Sequence, residues 1–542
     1  MPKGFFFKPF FFLYRIFFRK SKRFQRSASK GHANQSKSHI HEFDDFTHRC
    51  QDFSNQSPII FNMEEALLKS SSVFPYFMLV AFEAGTLLRA LVLFLMYPLT
   101  FLVSEEVGLK MMVMVCFFGI KKDSFRVGSS VLPKFFLEDV GLESFEVLQR
   151  YGNKKVGVSN LPQVLIETFL KDYLEIDVVI GRELKVFGGY FLGLMEDKKT
   201  INLTVLEEHG SDDKLGSSDI IGITSFNQRL DDPIFSSCKD VYRVRSSDKR
   251  SWKNLPREKY PNKLLFHDGR LALKPTPLET VAIFMWAPAG FVLAVVRLLI
   301  GISLPYCVSS PLLAFTGLWL TVTTPQTTRT LVPNEPLVVQ NAKPKGVLYV
   351  CNHRTLLDPL YLCFSLGKNL HAVTYSLSKI SEILAPIKTV RLTRNRQQDQ
   401  DMMERLLSQG DVVVCPEGTT CREPYLLRFS PLFSEISDEI IPVAVNTHVS
   451  MFHGTTAGGL KSLDPVFFLL NPSPIYTIQL LEKVSSEVSS CADGSTSRFD
   501  VANYVQRELG KVLGFECTKL TRRDKYLILA GNEGRAGCTT TA

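Results

Sequence analysis

The sequence predicts a membrane-anchored α/β protein built from two separate α/β domains. Three observations carry that expectation. Short apolar strands alternate with helical stretches twice, once before residue 250 and again after residue 345. Between them, Val281–Leu304 is an apolar run whose only charge is Arg297. A content of 45% hydrophobic and 11% aromatic residues over 542 positions is enough for more than one core and excludes wholesale disorder.

The first segment, residues 1–57, carries the charge. Residues 1–41 hold ten Lys or Arg and no acid, and the other 53 basic residues face 54 acidic ones. With the net charge of +9 confined to one tail, a basic groove spread over the fold is not expected, and nucleic acid is not a predicted partner. Phe5, Phe6, Phe7, Phe10, Phe11 and Phe12 interleave with Lys3, Lys8 and Arg15. That pattern suits a helix lying in the headgroup layer of an anionic bilayer; a mitochondrial presequence and a disordered basic tail share the composition. Residues 27–57 read as linker.

Residues 130–250 read as the first α/β region, which the family resemblance given below extends to a domain over 58–250. A strand is expected at Pro58–Phe61 and another through Val156–Val158, with a helical pattern over Val164–Leu174. Inside it, residues 74–103 are apolar but broken by Glu83 and Arg89. Each charge would cost about 2.5–3.5 kcal/mol at mid-bilayer, so a re-entrant or interfacial helix pair is expected rather than a straight span, with a buried soluble helix as the alternative.

The region 278–324 is the membrane candidate. As a helix, Val281–Leu304 would be roughly 36 Å long, enough for a hydrocarbon core. A second uncharged run, Tyr306–Thr324, follows at once, which leaves a pair of spans or one span with a platform resting on the membrane. Residues 345–535 read as the second α/β domain, with strands at Val347–Cys351, Val412–Cys415 and Ile440–Ala444 and helices at Leu360–Leu366, Asp399–Ser408 and Phe499–Leu513. The eleven cysteines include no C-x-x-C pair, so no zinc spacing or disulfide framework is read, and no metal or cofactor is expected.

The chemistry concentrates in two segments that leave apolar strands. In Asn352-His353-Arg354-Thr355-Leu356-Leu357-Asp358-Pro359, Asp358 and Pro359 read as an N-cap followed by proline at the first helical position. His353 then lies in a loop and can fold back on Asp358. An imidazole oriented by a carboxylate is what attack of a hydroxyl on a thioester needs. In Pro416-Glu417-Gly418-Thr419-Thr420-Cys421-Arg422, Glu417 could hold a glycerol hydroxyl, Gly418 lets the backbone approach a substrate, and Arg422 could face a phosphate. Arg391, Arg394 and Arg396 offer a second basic lining.

Asn352–Asp358 resembles the first block of the glycerolipid acyltransferase superfamily. Leu392-Thr393-Arg394 is similar to the second block without its usual Gly and Phe, Pro416–Thr419 to the third, and Ile441-Pro442-Val443 to the fourth. The strings Tyr375–Lys379 and Glu423–Phe429 look like those of land-plant glycerol-3-phosphate acyltransferases, and the resemblance runs from about residue 58 to 535. It implies His353 and Asp358 as catalytic residues, Arg394, Glu417, Gly418, Thr419 and Arg422 on the substrate, acyl-CoA as donor and glycerol 3-phosphate as acceptor with preference for the sn-2 hydroxyl. It also implies a place in the synthesis of lipids such as cutin and suberin precursors. Separately, an integral membrane protein in a lipid bilayer is expected, with the transferase domain facing the cytosol where acyl-CoA is available, in the endoplasmic reticulum first and the mitochondrion second. Oligomeric state is not read.

The same family carries an N-terminal domain similar to haloacid-dehalogenase phosphatases, whose first motif is D-x-D-G-[T/V]. Here Asn62 stands at the nucleophile, Glu64 at the acid/base and Glu65 at the Gly. An amide cannot form the aspartyl-phosphate, so this domain is expected to be inactive. Ser159 matches the second-motif hydroxyl, while the late magnesium motif survives only as Asp231-Asp232. Three rivals are a lysophospholipid acceptor, a noncatalytic membrane scaffold, and a covalent acyl carrier on Cys351 or Cys415.

Overall fold

The computed structural model describes residues 39–43, 58–100, 102–150, 154–196, 220–225, 235, 238–272, 276–325, 346–374, 382, 386–393, 395–437, 439–458, 460–485 and 498–529. The chain divides into two compact units: Met1–Phe125 with Asp139–Lys171 and Glu175–Lys259, and Arg126–Glu138 with Asp172–Leu174 and Tyr260–Ala542. The basic tail up to residue 38 lies outside the described residues.

The first unit is built on a six-stranded parallel sheet. Its strands are β1 (His39–Glu42), β2 (Ile59–Asn62), β3 (Lys155–Pro162), β4 (Val178–Arg182), β5 (Ile221–Ser225) and β6 (Asp240–Val244), in the order β1-β6-β5-β2-β3-β4. Every residue of β2 is buried, which explains why Ile59-Ile60-Phe61 reads as a continuous apolar run rather than an alternating one. The segment 74–103 splits in two. The helix Phe74–Val80 is buried along its whole length, so this half of the segment expected in a membrane belongs to the protein core. After a π-turn at Ala81–Gly85, the helix Leu87–Thr100 leaves Leu87, Leu88 and Leu95 at least 65% exposed.

In the second unit the apolar run becomes one helix, Pro277–Ser303, of 27 residues. It is long and apolar enough to cross a bilayer, and only 22% of its apolar window is buried. Its single mid-helix charge has a local explanation. The Arg297 guanidinium is buried and donates to the carbonyls of Leu469 (2.7 Å), Asn471 (2.6 Å), Pro472 (3.0 Å) and Thr316 (2.6 Å). These include carbonyls at the C-terminal end of the helix Asp464–Leu469, where a cation is favoured. The following run, Tyr306–Thr324, is not a second span: it forms a ten-residue helix, Tyr306–Phe315, and then strand β7, Trp319–Thr323.

That strand is the edge of an eight-stranded sheet. Its path continues through β8 (Leu348–Cys351), β9 (His371–Thr374), β10 (Lys388–Arg391), β11 (Val412–Val414), β12 (Glu439–His448) and β13 (Ile475–Leu480), in the order β10-β9-β11-β8-β12-β13-β7, with Val484–Ser485 paired off β12. All neighbours along the path are parallel except β12 and β13. The helices Arg396–Gln409 and Arg498–Leu513 cover one face through Met403, Leu407, Val505 and Leu509.

Candidate active site

In a parallel sheet the loops at the carboxyl ends of the strands share one edge, where ligands bind. β8 and β11 are neighbours, with Val350 opposite Val414, so both motif-bearing loops leave the sheet side by side. Cys351 ends β8 and Cys415 directly follows β11, with their sulfurs 3.3 Å apart. Beyond Cys351, Asn352 continues the pairing with β12 through its side chain: its Nδ2 donates to the Val445 carbonyl (2.9 Å) and its Oδ1 accepts the Val445 N–H (2.8 Å). The chain can then turn away without leaving a buried strand end unsatisfied.

That turn brings His353 Nδ1 to 2.8 Å from Asp358 Oδ2. Asp358 is fully buried, and donors converge on it: the N–H groups of Arg354 (2.7 Å) and Thr355 (3.1 Å), the Thr355 hydroxyl (3.2 Å) and the Tyr476 hydroxyl. Asp358 is the first residue of the helix Asp358–Leu366, and Leu357 is its cap. Asp358 therefore does not cap that helix as the sequence suggested. Its carboxylate reaches back and fixes the loop that carries His353.

Both oxygens of Glu417 are taken by the backbone: Oε1 accepts the His353 N–H (2.7 Å) and Oε2 the Leu427 N–H (3.1 Å). Burial pushes its carboxyl up to about 7, against those two hydrogen bonds and the charge of His353 and Lys525. The side chain braces the loop from behind rather than reaching outward. Gly418 has φ +68°, a left-handed turn that favours glycine, with open space where a Cβ would stand. Thr419 Oγ1 lies 3.3 Å from the Tyr526 hydroxyl.

His353, Gly418, Thr419 and Thr420 line one cavity of about 470 Å³. Its lining combines apolar side chains, among them Leu298, Ile302, Leu313, Leu357, Leu360 and Phe364, with Lys461, Arg522 and Tyr526. The structure does not bring Arg422 to this space. Its guanidinium donates to the carbonyls of Gly269 (2.5 Å), His267 (2.5 Å) and Thr455 (3.1 Å) and lines a separate, smaller cavity. Arg391 pairs with Glu382 and Arg396 with Glu435, and Arg394 lies outside the described residues. Cys415 reaches the cavity wall, but its hydrogen bond to Cys351 and its burial push its thiol well above the ordinary range, against a nucleophilic thiolate.

Sequence reasoning missed Tyr476, Lys461, Arg522 and Tyr526. Tyr476 arrives from β13, 118 residues beyond Asp358, and no local pattern marks it. The Lys-Ser-Leu-Asp-Pro string at 461–465 offers a weak signal, since it repeats the Asp-Pro helix start seen at Asp358-Pro359.

A family model described as glycerol-3-phosphate acyltransferase RAM2-like, HAD-like domain matches residues 58–244, and one described as acyltransferase matches residues 334–446. Probable glycerol-3-phosphate acyltransferase 2 of Arabidopsis thaliana is 59% identical over 483 residues, covering 88% of this chain and 89% of that one. Probable glycerol-3-phosphate acyltransferase 3 of the same plant is 61% identical, covering 88% and 90%. Glycerol-3-phosphate acyltransferase RAM2 of Petunia hybrida is 42% identical, covering 87% and 97%.

Proposed function

This chain belongs to the glycerol-3-phosphate acyltransferase family, and we propose that it moves an acyl group from acyl-CoA to the sn-2 hydroxyl of glycerol 3-phosphate and releases lysophosphatidic acid. The observation that carries this reading is the His353–Asp358 pair opening on a cavity lined both by apolar side chains and by Lys461 and Arg522. Asp358 holds the proton on Nδ1 of His353, which leaves Nε2 free to take the proton of the acceptor hydroxyl. The hydroxyl oxygen bonds to the thioester carbon, and the carbon–sulfur bond then breaks. The proton on Nε2 passes to the departing CoA sulfur, so His353 ends as it began. The sn-2 preference and a place in cutin- or suberin-type lipid synthesis rest on the family resemblance.

The N-terminal domain in this reading removes no phosphate. Asn62 offers no carboxylate, and its Oδ1 accepts the Glu65 N–H at 3.1 Å. Glu64 accepts from the Ser159 hydroxyl (2.6 Å) and from the N–H groups of Asn160 (3.0 Å) and Leu161 (3.2 Å), so the donors that a phosphate would use face the protein's own carboxylate. These residues do not fit a divalent cation of the kind such phosphatases use; Asp231-Asp232 lies outside the described residues. One experiment tests both halves. Purified protein given glycerol 3-phosphate and a panel of acyl-CoAs should yield lysophosphatidic acid with no inorganic phosphate. Stoichiometric phosphate with monoacylglycerol would mean an active N-terminal domain, and no lipid product would sink the transferase reading.

The helix Pro277–Ser303 supports an integral membrane protein, for which we propose the endoplasmic reticulum before the mitochondrion, with the transferase unit on the cytosolic side where acyl-CoA is available. Alkaline carbonate should leave the protein in a pellet that fractionates with reticulum markers. Release into the supernatant would remove the span, and fractionation with mitochondria would reverse the compartments.

A further inference from the structure

We propose that Lys461 and Arg522, gathered about the Tyr526 side chain, form the cradle that binds the phosphate of the acceptor. This rests on the glycerol 3-phosphate reading above and names where its anionic end sits. An acceptor with a fixed dianionic group needs a basic contact near His353, and among the described residues the other arginines in question are engaged elsewhere; Arg394 lies outside the described residues. Arg422 points at carbonyls, Arg391 and Arg396 pair with glutamates, and Arg297 is closed off by carbonyls.

Lys461 and Arg522 differ on each count. Both line the cavity that His353 lines, both are half-exposed, and neither forms an ion pair with a carboxylate among the described residues. Asp464, a carboxylate that also lines the cavity and feels the charge of Lys461, is held by Arg270 at 3.3 Å and by the Thr456 N–H (3.1 Å) and hydroxyl (3.0 Å). The two cations are also positioned. Lys461 Nζ donates to the Tyr526 hydroxyl and stands 4.6 Å from the centre of its ring. The Arg522 guanidinium lies 5.6 Å from the same centre, and its Nη1 donates to the Gly418 carbonyl at 3.5 Å. Buried Lys525 adds positive charge behind them while donating to the Thr420 carbonyl.

The local field registers on Tyr526 itself. Burial pushes its phenol up, yet the hydrogen bonds from Lys461 and Thr419 and the charge of Lys461 and Lys525 bring it below its ordinary value. A pocket that favours negative charge on a phenol also favours a phosphate. The same cavity is lined by Leu298, Ile302 and Leu313, apolar side chains that suit the acyl chain.

Two reaction partners carry phosphate, glycerol 3-phosphate and CoA, and kinetics separates them. Lys461→Gln and Arg522→Gln are made separately in the full chain and assayed in membranes, varying each substrate against saturating amounts of the other. Losing one charge-assisted contact should raise the KM for glycerol 3-phosphate about tenfold or more. The KM for acyl-CoA should stay put, which also reports an intact fold, and Lys461→Arg should recover most of the loss. Inorganic phosphate should compete with glycerol 3-phosphate on the parent enzyme and weakly on either variant. A rise in the acyl-CoA constant alone would place the cradle on the donor and overturn the proposal, as would unmoved constants. If the parent enzyme does not acylate glycerol 3-phosphate at all, the function reading fails first, and that outcome is read before any variant is compared.

Discussion

His353→Ala and Asp358→Asn should each lower kcat by about a hundred- to ten-thousand-fold with little change in the KM for either substrate. The two groups act as a unit. Without the imidazole the acceptor hydroxyl loses its general base; with Asn at 358, the side chain loses an acceptor and can present an N–H to Nδ1, favouring the wrong tautomer. Asp358 is fully buried beneath donors from Arg354, Thr355 and Tyr476, so an amide there also leaves one of them without an acceptor. The Asn variant should therefore lose some thermal stability, whereas Ala at the part-exposed His353 should not. Single-turnover assays with labelled acyl-CoA read the chemical step directly. Turnover above about a tenth of the parent in either variant would rule out the base and its orienting partner.

What could be read in the sequence was what lies close in the chain. His353 and Asp358 are five residues apart on one loop, and strand-then-loop patterns at 347–353 and 412–418 place both motifs at strand ends. Parallel register at Val350 and Val414 then sets the loops together, which no local pattern states. Direction was harder than position. Glu417 and Arg422 have the residue types that hold a glycerol and a phosphate, but one faces backbone N–H groups and the other faces carbonyls. Their targets, Leu427, Gly269 and Thr455, come from elements whose placement depends on the whole fold. Hydropathy left Tyr306–Thr324 open in the same way between a second span and a platform: an uncharged run fits a spanning helix as well as a short helix with an edge strand, and pairing of Trp319 with Ile475 decides for the latter. Tyr476, Lys461, Arg522 and Tyr526 come from after the recognised blocks, so block-by-block comparison passes over them.

Glu417→Gln should lower kcat about a hundredfold while leaving the KM for glycerol 3-phosphate nearly unchanged. A residue that held the glycerol hydroxyl would do the reverse, raising that KM. The carboxylate has two acceptor oxygens for two N–H groups, those of His353 at 2.7 Å and Leu427 at 3.1 Å. Gln has one oxygen, so its NH2 must face one of those donors, and a buried donor without an acceptor costs about 1–3 kcal/mol. The loop would shift to relieve it and carry His353 with it; a displacement of about 1 Å at a reacting group can cost about a hundredfold. The pH dependence supplies an independent check. Burial raises this carboxyl from its ordinary 4.5 to about 7 in the folded protein, so the folded state binds its proton more tightly than the unfolded chain does. The stability it contributes is fully present below pH 4.5 and is lost as the pH rises through about 7. An amide does not titrate, so the difference in melting temperature between parent and Glu417→Gln should shrink across that window while all other groups cancel. A difference that stays flat from pH 4.5 to 7 would mean that the carboxyl is not held in the buried, backbone-capped position that orients His353.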